Sequence, residues 1–130
     1  MSAWGTGSFE NDDAAGWLAK LSTIGPDDLT QIFVQAADNP SYLEASAASV
    51  VVAAAEVIAA LNGSPPEGVP PEIIRWTTNR LASTPELIAL TLRALERVRK
   101  NSELKDLWLE ADGLNDWIAA IQDLQTRVGR

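Results

Sequence analysis

The side chains of this sequence that could do acid–base chemistry are carboxylates, because the chain has no His and no Cys. That removes an imidazole base, a thiolate nucleophile and any zinc site built from Cys and His. Glu56 is the candidate catalytic group that remains. It stands in Val52-Ala53-Ala54-Ala55-Glu56-Val57-Ile58, an apolar neighbourhood for a charge. At about 100° per residue, Ser46, Ser49, Ala53 and Glu56 fall on one stripe of a helix, so two hydroxyls accompany the carboxylate. A carboxylate buried there needs a partner, or its pKa rises. The functional reading is an acid/base or ligand-orienting group. The structural reading is an anchor for an Arg of helix four or five, such as Arg75 or Arg80, or for backbone N–H groups of the Gly5–Ser8 turn. The structural reading weighs more, because ion pairs are common in helical bundles.

Other polar clusters carry less. Glu10, Asp12 and Asp13 could offer oxygens to a hard cation, as could Asp112, Asn115 and Asp116, but neither spacing matches a metal loop. Capping and the helix dipole account for them. Gly5-Thr6-Gly7-Ser8 before a helix superficially suggests a phosphate loop. It lacks the Gly-Lys-Ser/Thr ending, and acids occupy the helix start where an anion would need positive potential. No metal and no cofactor are expected.

Charge points to a partner instead. Ten Lys and Arg against eighteen Asp and Glu leave a net −8. Seven of the bases fall in residues 75–105, between two acidic stretches. The simplest meaning is complementarity within the fold. Arg93, Arg97 and Lys100 stand at i, i+4 and i+7, and could also present a basic stripe to an acidic protein. Nucleic-acid binding would want more positive charge and exposed aromatics. The five Trp divide similarly. Trp17, Trp108 and Trp117 read as core. Trp4 lies in a Gly-rich segment and Trp76 lies off the main stripe of its helix, so both are candidate binding anchors.

The elements that must position these residues read as helices throughout, with no sustained period-2 alternation. Asn11-Asp12-Asp13 starts the first helix and Thr23-Ile24-Gly25 ends it. Pro26 opens the second and Asn39-Pro40 stops it. Ser41-Tyr42-Leu43-Glu44 reads as a capping box for a central Ala-rich helix over about 41–62, closed by Asn62-Gly63. Residues 63–71 form a Pro/Gly linker too short to separate two domains. Pro71 starts a fourth helix with Ile73, Ile74, Thr77 and Leu81 inward. Helix five carries Leu87, Ile88, Thr91, Ala94, Leu95 and Val98 inward, and Asn101-Ser102-Glu103 restarts the chain. Asp112-Gly113 favours a break in the last helical stretch. The expectation is an all-α fold: a compact single-domain bundle of five to seven helices around the Ala-rich helix, with an ordered Gly/Trp-rich N-terminal segment.

The start of the chain has neither the basic nor the apolar region of a secretory signal. The longest apolar run, residues 45–61, is interrupted by Ser46, Ser49 and Glu56 and reads as a buried helix rather than a membrane span. Cytoplasm is the expected compartment.

The run Ala3-Trp4-Gly5-Thr6-Gly7-Ser8-Phe9-Glu10-Asn11-Asp12-Asp13-Ala14-Ala15, followed by Trp17-Leu18, resembles the opening of a bacterial family known as domain of unknown function 4259. Ala53-Ala54-Ala55-Glu56, and Ser102-Glu103-Leu104 with Leu107-Trp108, look like its later blocks. Gly16 departs from it, standing where an acid is expected. The resemblance implies a small bacterial all-helical protein, marks the Trp4–Phe9 segment and Glu56 as family features, and brings no activity with it. The function expected is a non-catalytic protein-binding or regulatory module, immunity-like in character. The alternative is a small enzyme using carboxylate chemistry at Glu56.

Overall fold

The computed structural model describes Gly5 and residues 7–130. Those residues form seven α-helices and a 3-10 turn, with no strand among them: α1 (Asp12–Ala19), the turn Leu21–Thr23, α2 (Pro26–Asp38), α3 (Ala45–Leu61), α4 (Pro71–Thr77), α5 (Pro85–Lys100), α6 (Glu103–Glu110) and α7 (Leu114–Val128). The all-α bundle expected from periodicity is what forms.

Helix α3 is the axis. It packs against each of the other six helices. Residues 51–59 are buried without interruption, so the helix has no wet face along that stretch. Ala53, Ala54, Ala55 and Ala59 let the surrounding backbones come close, while Val57 and Ile58 fill the gaps. Phe33, Leu29, Leu95 and Leu124 complete the core from α2, α5 and α7. Burying each such side chain stabilises the fold by about 1.5–3 kcal/mol.

Many helix ends follow local chemistry. Asn11 Oδ1 accepts the Ala14 amide at 2.8 Å. Thr84 Oγ1 accepts the Leu87 amide at 3.2 Å. Ser102 Oγ accepts the Lys105 amide at 3.1 Å while donating to Val98 O at 2.7 Å. At the end of α3, the Ser64 and Gly63 amides donate back to Ala59 O and Ala60 O at 2.8 and 3.1 Å.

Two local expectations are corrected and a third holds. The Ser41–Glu44 capping box does not form, and α3 begins at Ala45. Its first amide donates to Glu103 Oε1 at 2.8 Å, and the Glu103 amide donates to Leu43 O at 2.8 Å. The start of α6 thus caps the start of α3, a tertiary solution that makes the local one unnecessary. Helix α4 ends at Thr77, before Leu81. Ile73 and Trp76 turn inward, whereas Ile74 is 51% exposed and Leu81 is 91% exposed. One pair at i, i+3 suffices for so short a helix to dock. The last helical stretch does break. Asp112 adopts φ 61°, and a Cβ on Gly113 would sit 2.7 Å from the Trp108 ring. Glycine is present because an indole occupies the space.

Candidate functional site

Glu56 is 3% exposed, and both of its carboxylate oxygens are engaged. Arg127, near the end of α7, approaches as a fork: Nη1 donates to Oε1 at 2.6 Å and Nη2 to Oε2 at 3.0 Å. Ser8 Oγ donates to Oε2 at 2.6 Å. Arg127 Nε also donates to Asp123 Oδ2 at 2.9 Å, one turn earlier on α7. The hydrogen bonds from Arg127 to Glu56 raise the already high pKa of the guanidinium, against the opposing effect of burial, and Asp123 adds to the rise. The guanidinium stays charged at any ordinary pH.

The turn that delivers Ser8 is built around another carboxylate. The Gly7 amide donates to Glu10 Oε1 at 3.1 Å, and the Glu10 amide donates to Gly7 O at 3.0 Å. A Cβ on Gly5 or Gly7 would lie 2.3 or 2.4 Å from the Glu10 carboxylate, so a side chain at either position would displace that carboxylate from the wrap. Phe9 packs half-buried against the core. The expected order of the N-terminal segment holds for these residues, while Trp4 lies outside the described ones.

The partner of Glu56 is thus a correction. An Arg does hold it, but from α7 rather than from helices four or five. The N-terminal turn holds it too, through a hydroxyl rather than backbone amides. Nothing local connects residues 71 positions apart in the chain, so sequence reasoning missed both Arg127 and Ser8 as partners. The one legible signal was the Asp123–Arg127 spacing of i, i+4. The same cluster floors an open depression of about 300 Å³ with Glu10, Glu67 and Asp123 around it. Ser46 on the expected polar stripe is exposed, and Ser49 is buried. No group of three metal-binding side chains occurs among the described residues.

The expected binding residues separate. Arg97 is a fastener: its Nη1 donates to Ala36 O at 3.1 Å and Asn39 O at 2.5 Å, and its Nη2 donates to Ser41 O at 2.5 Å. It closes the C-terminal carbonyls of α2 and the chain beyond. Arg93 is exposed and pairs with Asp38, also on α2. Lys100 is exposed, with Nζ 3.4 Å from Glu96 on its own helix. Arg93 and Arg97 thus bind α2 and the chain just after it, while Arg93 and Lys100 meet carboxylates of this chain. Trp76 is 6% exposed, not an exposed anchor. Its indole N–H donates to Ile24 O at 2.7 Å, which fastens α4 to the end of the 3-10 turn.

Around Trp76 lies a corner that sequence reasoning did not assemble. The Arg80 guanidinium sits over the Trp76 ring, 4.0 Å from its centroid, and Arg80 Nε donates to Trp76 O at 2.6 Å. On one side is an apolar recess of about 320 Å³ walled by Leu29, Ile58, Leu61, Leu81 and Leu87. On the other is a recess of about 290 Å³ that includes Leu18, Ser22, Glu72 and Arg75. The i, i+4 spacing of Trp76 and Arg80 was the available clue.

A family model described as a domain of unknown function (DUF4259) matches residues 2–120. The chain belongs to that family. The DUF4259 match takes in Ser8, Glu56 and the Trp76–Arg80 corner, and ends before Arg127. No curated protein and no solved structure matches the chain.

Proposed function

We propose that this DUF4259 protein is a non-catalytic protein-binding module, of the bacterial cytoplasm, that works by docking a partner. The observation that carries the reading is the apolar recess at the α4–α5 corner, with Leu81 91% exposed at its wall. An isolated exposed Leu needs no explanation; one lining a leucine-rich recess of several hundred Å³ does. No helix of the described residues is long and apolar enough to cross a membrane, which suits a partner met in solution.

A photo-cross-linking residue at position 81, introduced in the native cell, tests this. The expected result is an adduct with one protein, identified by mass spectrometry, that rebinds when purified and loses affinity on Leu81→Asp. The same cross-linker at exposed Gln122 on α7 is expected to give no such adduct. Absence of any adduct from position 81 overturns the reading.

A second reading, an enzyme using Glu56, draws support from the depression that brings Glu56 near Asp123, Glu10 and Glu67. It ranks below the first because three hydrogen bonds already occupy the carboxylate. A turnover abolished by Glu56→Gln in a variant that retains its fold would reverse that ranking.

A further inference from the structure

We propose that the Trp76–Arg80 corner docks an extended segment of the partner in which apolar side chains stand beside acidic ones. This rests on the protein-binding reading and gives the partner its chemistry. Trp76 and Arg80 line both recesses, so the stacked pair is the ridge between an apolar site and a cationic one. A bound chain crossing that ridge sets an apolar side chain against Leu81 and Leu87 and a carboxylate against Arg75 and Arg80.

Charge selects the acid. Among the described residues, Arg93, Arg99, Lys100 and Arg127 meet carboxylates, and Arg97 is spent on carbonyls. Arg75 and Arg80 meet no carboxylate there, as Lys20, Lys105 and Arg130 do not, but Arg75 and Arg80 converge on one recess. Arg80 uses Nε on Trp76 O, which fixes the plane of the fork while both Nη groups stay without a partner among the described residues. The cationic recess therefore has two guanidiniums against one carboxylate, Glu72. A pre-oriented guanidinium is the group best shaped for a bidentate carboxylate.

The span of the corner selects a peptide. The apolar recess of about 320 Å³ and the cationic recess of about 290 Å³ share the Trp76–Arg80 ridge. An extended chain carries an apolar side chain and a carboxylate on one backbone and occupies both recesses, whereas a small apolar carboxylate has only its own carboxylate and tail to offer them.

The test is selection from a randomised dodecapeptide library displayed on phage, using the immobilised full chain, with fluorescence anisotropy of the enriched peptides. The expected peptides place Asp or Glu near Leu, Ile, Phe or Trp. Their binding is expected to weaken about tenfold on Arg75→Glu and on Leu81→Asp, and added salt is expected to weaken it more for the native chain than for Arg75→Glu. Both substitutions are at exposed positions, and circular dichroism verifies that the variants keep their helices. Enriched peptides that lack acids, or that ignore Arg75→Glu, overturn the acidic partner and leave the protein-binding reading standing. A library that yields no binder overturns the proposal, and binding of dodecanoate in that case reassigns the corner to a small amphiphilic carboxylate. The cross-link at position 81 judges the wider reading separately.

Discussion

Two arginines of this protein show what burial does to a guanidinium. Arg127 lies against the buried Glu56 and donates to Glu56, Asp123 and Ser64 O. Arg80 lies over Trp76 near the surface, with one hydrogen bond and both Nη groups uncommitted among the described residues. An unpaired buried charge costs several kcal/mol, so the interior admits Arg127 only with a carboxylate held against it. At the surface water pairs with the guanidinium at little cost, and the group stays available. The saturated pair holds the N-terminal turn, α3 and α7 together. The unsaturated one is where a partner fits.

The largest effect expected from that contrast is at Glu56. Glu56→Ala leaves Arg127, whose side chain is 13% exposed, with the exposed Asp123 as its remaining acid, and is expected to destabilise the fold by about 3 kcal/mol. Urea unfolding measures it, and a loss under about 1 kcal/mol would show that the pair is not saturated by necessity. Replacing both partners, as Glu56→Met with Arg127→Leu, is expected to recover much of the loss, since neither charge is then left alone.

Ser8→Ala sharpens the same side of the comparison. It removes one donor while the Arg127 fork persists, so the expected cost is about 1 kcal/mol, read from the same unfolding curves. An unchanged midpoint would mean that the turn rests on Phe9 and the Glu10 wrap rather than on the Ser8 bond.

Tyr42 is an intermediate case, exposed yet engaged. Its hydroxyl donates to Asp106, and that bond, with the nearby charges of Asp106, Glu103 and Glu110, pushes the phenol up to about 12. The folded state therefore favours the neutral phenol. Its contribution to stability is complete below the ordinary phenol value near pH 10 and is lost as pH rises from there through about 12. Tyr42 is the only tyrosine, so tyrosinate absorbance reads it alone. The midpoint is expected to return towards about 10 in Asp106→Asn. An ordinary midpoint in the native chain would remove the interaction.

The smallest stability effects are expected at the open corner. Leu81→Asp and Arg75→Glu are each expected to change unfolding stability by less than about 0.5 kcal/mol, while weakening partner binding. A large loss of stability from either would place that side chain in the structural framework, beside Arg127, and break the contrast between the two regions.

Much of the fold is legible in the residue order because helix signals are local. Pro26, Asn39-Pro40, Thr84-Pro85 and Asn101-Ser102 punctuate the chain where the helices change. The Ala-rich run lacks a polar face over residues 51–59, which already makes it the axis. Glu56 is legible as a group in need of a partner for the same reason. The identity of that partner is not. Helical spacing relates a residue to neighbours within about four positions, and Arg127 and Ser8 reach Glu56 only once the bundle has closed.

The corrections share that origin. Ser41 and Glu44 carry the local pattern of a capping box, but Glu103 reaches the same helix start from α6. Trp76 reads as off-stripe because so short a helix has too few turns to define one, and its docking on Ile24 O decides its burial. The sequence by itself determined the helices, their central member and the requirement that Glu56 be paired, because propensity, caps and the cost of burying a charge are properties of short segments. Only the tertiary structure decided that Arg127 meets that requirement while Arg75 and Arg80 stay open, because which charges are buried together depends on how distant helices pack.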